Sequence, residues 1–121
     1  MAMSVTWTEE RIGTITKLKA VWVSAADGTA SGQTTYPYTG KIEGLTTAPA
    51  AAGSAPIDLY DVTLTDEDSV DVLMGGGANR ATATTQHVLG TSLGCVANDK
   101  LTLNVANAGD TKGGAVYVWI R

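Results

Sequence analysis

Hydrophobic and polar residues alternate along several stretches of this chain, and the alternation predicts β-strands. The clearest internal case is residues 56–65, in which Tyr60, Val62 and Leu64 fall on one side of an extended chain and Asp61, Thr63 and Thr65 fall on the other. A period of two is typical of a strand with one face in the core and one in water. We predict a central strand here. The acidic residues 66–71 should form an exposed turn, with the alternation resuming at 70–72.

Two earlier segments also have the composition of strands. Residues 12–23 are rich in β-branched side chains and are followed by Asp27-Gly28, a turn signal. Residues 34–45 form a second extended segment, in which Pro37 removes a backbone donor and indicates an edge or a bulge. Between and after these segments, residues 29–33 and 46–55 are polar or of low complexity, and we predict surface loops there.

The C-terminal region predicts a β-hairpin. Residues 101–105 and 115–120 both alternate, and the segment between them contains three glycines and an aspartate. The last strand is apolar on both sides, so it should lie inside a sheet or against another subunit, because an open apolar edge promotes aggregation. One further short strand is expected within residues 81–94, after the glycines 75–77 interrupt regular structure.

The pattern as a whole predicts an all-β fold. We expect a single-domain β-sandwich or jelly roll of six to eight mostly antiparallel strands over residues 1–121, with residues 1–11 forming either a short strand or an N-terminal arm. A chain of 121 residues buries about two thirds of its surface on folding. With 14 glycines and no phenylalanine the core should be thin. Association with other subunits would then add burial.

Charge and composition argue against several classes of partner. The net charge is −4 and the cations are scattered, whereas phosphate recognition needs clustered cations, so nucleic acid is not expected. Lys17 and Lys19 share a face near Glu9 and Glu10, an arrangement typical of a solvated strand surface. No apolar run is long enough to cross a membrane. The single cysteine, Cys95, excludes an intramolecular disulfide and a thiolate cluster.

The residue types needed for catalysis or metal binding do not form a recognisable pattern. His87 is the sole histidine, and neither Ser92 nor Cys95 lies in a nucleophile motif. The glycines 75–77 lack the lysine and the following helix of a phosphate-binding loop. Clustered carboxylates usually face water. We therefore predict no enzymatic activity and no catalytic, cofactor-binding or metal-binding residues; the acids considered are Asp58, Asp61, Asp66, Glu67, Asp68 and Asp71.

Two blocks of the sequence resemble small structural proteins encoded among the head genes of tailed bacteriophages. The blocks are residues 58–73 followed by Asn79-Arg80, and residues 101–109. The resemblance implies a virion protein without enzymatic activity. Within that class it favours a capsid decoration (cement) protein, which acts as a homotrimer on the outer surface of the head. No site residues are carried over, because the class is defined by assembly.

On this interpretation the partners are the major capsid protein and other copies of the chain, without a cofactor, nucleic acid or membrane. The protein would be made in the host cytoplasm and end up on the capsid. Trp7, Tyr117 and Trp119 are the expected subunit-interface residues. Two alternatives stay open: another virion role in the connector, tail or fibre, and a β-sandwich carbohydrate-binding module with exposed Trp and Tyr side chains.

Overall fold

The computed structural model describes residues 3–93 and 96–121. Their regular structure is almost all extended. A 3-10 turn at Ala52–Ser54 and one helical turn, α1, at Gly90–Leu93 are the helical segments in these ranges. The strands are β1 (Ser4–Ile12), β2 (Ile15–Val23), β3 (Ala30–Gln33), β4 (Tyr38–Pro49), β5 (Asp61–Thr65), β6 (Gln86–Leu89), β7 (Val96–Asp99), β8 (Thr102–Ala106) and β9 (Gly113–Ile120).

The strands form two antiparallel sheets. In the large sheet the order is β1-β2-β9-β4-β6, and β7 pairs with the first residues of β4. In the small sheet the order is β3-β8-β5. The prediction of an all-β sandwich is confirmed. Its strands pair with partners distant in sequence, so most of the fold depends on non-local contacts.

The core lies between the two sheets. It is formed by every second residue of the strands, the one whose side chain points toward the opposite sheet. Trp22 from the large sheet meets Tyr60, which precedes β5, with ring centroids 5.7 Å apart. Burying a large apolar side chain contributes roughly 1.5–3 kcal/mol, so this row of side chains is the main stabilising feature. The buried residues include Leu18, Ala20, Trp22, Ile42, Leu45, Val116, Val118 and Ile120 from the large sheet, and Val62, Leu64, Leu103 and Val105 from the small sheet.

The predicted strand around Val62 and Leu64 is present, but it lies at an edge of the small sheet and is not central. Its free edge is covered by residues 71–80, which pair with it in isolated bridges rather than as a strand. Val62 N–H donates to the Gly77 carbonyl at 2.8 Å, and Val72 N–H donates to the Leu64 carbonyl at 2.8 Å. The alternation does not resume after the acidic turn, because Val70 is exposed and residues 72–77 are turns.

The predicted C-terminal hairpin is wrong. Strand β8 pairs with β3 and β5, whereas β9 pairs with β2 and β4, so the connection between β8 and β9 crosses from one sheet to the other. Buried and exposed residues alternate in both strands, but this alternation does not specify which other strand each one pairs with. The expectation for β9 itself is confirmed, since it lies inside the large sheet between two long strands.

Two other segments differ from the prediction, and at the N-terminus the strand alternative is present. Residues 30–33 form β3 and not a loop, and residues 46–49 continue β4, where Thr46 and Thr47 are buried against neighbouring strands. Residues 4–12 form β1, paired with β2 over their whole length. The two strands are joined by a tight turn in which Gly13 has a φ of 61°, a conformation that hairpin turns require and glycine adopts easily.

Candidate functional site: the outer face of the large sheet

The outer face of the large sheet carries side chains that do not point into the core. Since Leu18, Ala20 and Trp22 of β2 are buried, the alternate residues of that strand lie on the opposite face. The same alternation applies to β9 and β4. The outer face is therefore formed by Lys17, Lys19, Val21 and Val23 from β2, by Ala115, Tyr117 and Trp119 from β9, and by Gly44, Thr46 and Ala48 from β4.

Two aromatic rings and two lysine side chains meet at the centre of this face. Tyr117 and Trp119 have ring centroids 6.1 Å apart and planes 25° apart. Lys17 Nζ lies 5.1 Å from the Tyr117 centroid and 5.9 Å from the Trp119 centroid, and Lys19 Nζ lies 5.5 Å from the Tyr117 centroid. The geometry is that of cation–π contacts, each of about 0.5–1 kcal/mol at a partly exposed site.

Both lysines keep their charges available. In the described ranges neither lysine forms a salt bridge with an acidic side chain. The salt bridge that the structure shows there joins Arg11 and Glu9. Both lysines extend from β2, and their amines lie over the aromatic rings of the neighbouring strand β9. On the same face, Glu10 of β1 is the cross-strand neighbour of Lys17, so the outer face combines apolar area with charges of both signs.

Three depressions open on this face. One of about 540 Å3 is lined mainly by small apolar residues, with Val21, Val23, Ala48 and Ala115 among them and Lys19 at its margin. A second, of about 310 Å3, is bounded by Trp119 and Leu89. A third, also about 310 Å3, lies between Tyr117 and the edge strand β1. The third depression is lined mainly by polar and charged side chains, Glu10 and both lysines among them, whereas the first two are mainly apolar. Apolar area of this kind on a protein surface is typical of an interaction site.

A polar pair lies beside the aromatic rings. Thr46 Oγ1 is 2.6 Å from His87 Nδ1, and Thr46 is the cross-strand neighbour of both His87 and Tyr117. The hydroxyl of Thr46 is buried by this contact, whereas the imidazole is exposed. His87 therefore has a structural partner in Thr46, and within residues 3–93 and 96–121 no acid is seen paired with it to orient it as a general base.

The three residues expected at a subunit interface do not lie together. Tyr117 and Trp119 are neighbours on the outer face. Trp7 is on the other side of the sheet, opposite Ala20, and its indole Nε1 donates to the Gly32 carbonyl at 3.2 Å. Trp22 is fully buried. Lysines 17 and 19, which sequence reasoning placed on an ordinary solvated surface, lie over the aromatic rings, because β2 and β9 are adjacent strands.

Most of the acidic side chains of residues 58–71 bind backbone amides. Asp58 accepts from Thr82 N at 3.0 Å, and Asp61 accepts from Asn79 N at 2.9 Å. Asp66 accepts from Asp68 N and Val70 N, an arrangement that shapes the acidic turn. Such contacts stabilise loops, so these four hydrogen bonds give the carboxylates a structural role.

One group of three carboxylates comes close together in the described ranges. Oxygens of Asp66, Asp68 and Asp99 lie within 4.8 Å of one another. A calcium site uses six to eight oxygens, and Asp66 is already engaged by two backbone amides. Asp66 and Asp99 are half-buried and Asp68 is exposed, and three carboxylates supply fewer oxygens than such a site uses. Cys95, considered as a nucleophile, lies outside the described residues.

Two buried tyrosines have raised pKa values. Burial, together with the neighbouring Glu9 carboxylate, raises the pKa of Tyr38 to about 12. Burial also raises the pKa of Tyr60. Both phenols stay protonated at neutral pH, and both belong to the core rather than to a reactive site.

Comparison with protein-family models, with curated proteins and with solved structures finds no match to this chain. In the ranges 3–93 and 96–121, no helix has the length and apolar character needed to span a membrane. What the chain can do must therefore be argued from the outer face of the large sheet.

Proposed function

We propose that this chain is a structural protein that acts by assembly, as a bacteriophage capsid decoration (cement) protein. In this role it binds the outer surface of the head as a homotrimer and stabilises the shell against disruption. It has no enzymatic activity. Its partners are the major capsid protein and other copies of itself.

The observation that carries the proposal is the outer face of the large sheet. This face has no covering layer in the described ranges, and Tyr117, Trp119, Val21 and Ala115 form apolar area on it. A sheet with one face in the core normally carries polar residues on the other. Apolar and aromatic residues on the outer face support a role in contact with another protein, where they would lose the remaining water.

The size of the domain also supports an assembly role. A typical stable interface covers about 800 Å2 on each partner. The total accessible surface is 6021 Å2, so the chain has room for contacts with neighbouring copies and with a shell at the same time. Several weak contacts made together by one oligomer give durable attachment, because after the first contact forms the others are effectively intramolecular.

Addition to particles that lack the protein tests the proposal directly. Purified protein is mixed with phage heads from which the decoration layer is missing, and the particles are sedimented. We expect saturable co-sedimentation and a higher temperature of head disruption. Cryo-microscopy of the particles would then locate the density. Absence of binding to heads, with binding to tails or connectors instead, would favour the other virion roles.

A second candidate is a carbohydrate-binding module, and the aromatic pair on an open sheet face favours it. Tyr117 and Trp119 could stack on sugar rings, but the amines of Lys17 and Lys19 lie over these aromatic rings. A glycan that binds here would have to displace them. Tryptophan emission that shifts or is quenched on addition of neutral oligosaccharides, and that no longer responds in Trp119→Ala, would support this candidate over the assembly role.

A further inference from the structure

Strand β1 forms one edge of the large sheet, and its backbone is uncovered along that edge. It pairs with β2 over its nine residues and with no other strand in the ranges 3–93 and 96–121. At about 3.3 Å per residue the edge is roughly 30 Å long. Such an edge presents a row of backbone donors and acceptors to which a strand of another chain can bond.

The backbone groups that face outward belong to the odd-numbered residues of β1. Ser24 N–H donates to the Lys112 carbonyl at 2.7 Å, so the even-numbered residues of β2 direct their backbone groups toward β9. The odd-numbered residues of β2 bond to β1, where their partners are even-numbered, as in the pair of Lys19 and Thr8. The free edge is therefore formed by four N–H and four C=O groups, those of Val5, Trp7, Glu9 and Arg11.

The other sheet edges are short or covered, whereas β1 is neither. Residues 71–80 lie along the free edge of β5, and Asp71 bonds to its backbone. Strands β3, β6 and β7 have four residues each. Strand β1 has no proline, its register with β2 is unbroken by a bulge, and its charged residues are confined to 9–11. Most of this edge therefore lacks the features by which proteins prevent edge-to-edge pairing.

The inner face of β1 holds this edge in a fixed position. Trp7 Nε1 donates to the Gly32 carbonyl of β3 at 3.2 Å, and a Cβ added at Gly32 would lie 2.6 Å from the Val5 Cβ. The side chains of Val5 and Trp7 thus point toward β3, whereas their backbone groups stay at the edge. An edge that is ordered before binding loses little entropy when a partner strand pairs with it.

We infer that β1 pairs antiparallel with β1 of a second copy of this chain. Thr8 of one copy lies opposite Thr8 of the other, so the two strands overlap over their whole length. Each copy's four donors and four acceptors then find partners, and the two large sheets become one continuous sheet. No two charged residues are directly opposite one another; the facing pairs include Val5 with Arg11, Thr6 with Glu10, and Trp7 with Glu9. The contact is twofold and goes beyond the proposed function, whose homotrimer is threefold.

Proline at residue 9 tests the backbone contact. Glu9→Pro removes an outward N–H and keeps the hydrogen bonds between β1 and β2, and an edge strand tolerates proline at such a position. Each dimer loses two hydrogen bonds by symmetry, so association should weaken by about tenfold or more. Glu9→Ala is the matched control, because it removes the same side chain and keeps the N–H; it should associate like the wild type. Size-exclusion chromatography with light scattering measures association, and circular dichroism verifies folding.

Cysteine cross-linking tests the register without perturbing the backbone. In a Cys95→Ser background, Thr8→Cys places two thiols on facing residues of a non-hydrogen-bonded pair, whose Cα atoms lie about 4.5 Å apart and within reach of a disulfide. Thr6→Cys, also at an exposed position, places them four residues apart along the strands, about 13 Å. After treatment with oxidised glutathione we expect a covalent dimer of Thr8→Cys and none of Thr6→Cys. Equal cross-linking of the two variants, or none of Thr8→Cys, would contradict the register.

The oligomeric state separates this inference from the proposed homotrimer. A wild-type dimer that Glu9→Pro converts to monomers would support the inference and overturn the trimer. A wild-type hexamer that Glu9→Pro converts to trimers would support both. A trimer as the largest species at about 100 μM, a concentration that saturates a contact of micromolar affinity, would overturn the inference alone, because a twofold contact joins copies in pairs. A monomer at that concentration would overturn both.

Discussion

Asp71 Oδ1 accepts a hydrogen bond from Leu64 N at 3.1 Å, while the N–H of the next residue, Val72, donates to the Leu64 carbonyl. The Asp71 carboxylate thus takes the place of a backbone carbonyl as the acceptor for Leu64 N–H, along the edge of β5 that pairs with no other strand. The same carboxylate accepts from Leu73 N and Gly75 N, each at 3.0 Å. One acidic residue therefore closes the turn over residues 71–75 and caps an exposed edge of the small sheet.

Replacing Asp71 should destabilise the fold. Asp71→Ala leaves three backbone N–H groups without this acceptor, and hydrogen bonds to charged groups contribute about 1.5–3 kcal/mol. We expect a loss of about 2–3 kcal/mol in the free energy of unfolding, measured by urea denaturation followed by tryptophan fluorescence. Glu67→Ala, at an exposed carboxylate of the same segment, should change it by less than about 0.5 kcal/mol. Equal effects of the two substitutions would contradict this account.

Gly77 lies so close to Val62 that a larger side chain at residue 77 should destabilise the fold. A Cβ at residue 77 would overlap the Val62 carbonyl oxygen, which is backbone and cannot rotate away. Gly77→Ala should therefore lower the free energy of unfolding by about 1–3 kcal/mol, the range for overpacking. Gly53→Ala is the control, since no heavy atom lies within 4 Å of its added Cβ. Thermal unfolding of the two variants gives the comparison.

The aromatic pair should matter for association more than for folding. Trp119→Ala and Tyr117→Ala each remove a half-buried ring from the outer face, so we expect the oligomer to weaken by about tenfold or more while the circular dichroism spectrum persists. Trp22→Ala removes a fully buried indole and should cost about 3–5 kcal/mol of folding stability instead.

Trp7, unlike Trp119, should affect folding stability and not association. Its indole contacts the core and donates to the Gly32 carbonyl of the same chain. Trp7→Phe should therefore lower stability by about 1 kcal/mol, through the lost hydrogen bond, without altering association. An effect on association as large as that of Trp119→Ala would show that Trp7 also lies at the interface.

Stability should fall in alkaline solution because of Tyr38. The pKa of this phenol is raised from 10.0 to about 12 in the folded protein. Since the folded state holds the proton more tightly than the unfolded state, the contribution is complete below pH 10 and is lost as the pH rises toward 12. Urea denaturation at a series of pH values should show the decline. It should be smaller in Tyr38→Phe and unchanged in Tyr36→Phe, at an exposed position.

The strands themselves could be predicted because side-chain alternation is a local property. The buried positions of β2, β5, β8 and β9 follow from the period of two, and the interior location of β9 follows from apolar residues on both of its faces. The absence of a helical period likewise indicated the all-β class.

The pairing of the strands could not be predicted in the same way. Strands β8 and β9 are close in sequence and suited to a hairpin, yet each pairs with other strands. The apolar face of β8 and that of β9 are buried against each other's sheet, so the two strands belong to different sheets. Short polar strand β3 was predicted as a loop, since its strand conformation depends on the neighbouring β8 and not on its own residues.

The sequence by itself determined the class of fold and the residues that face the core, because both depend on the spacing of apolar side chains along an extended chain. Only the tertiary structure decided that Lys17, Lys19, Tyr117 and Trp119 form one surface. Their proximity depends on the adjacency of β2 and β9, which are about ninety residues apart in sequence and are brought together by burial of the core that both strands share.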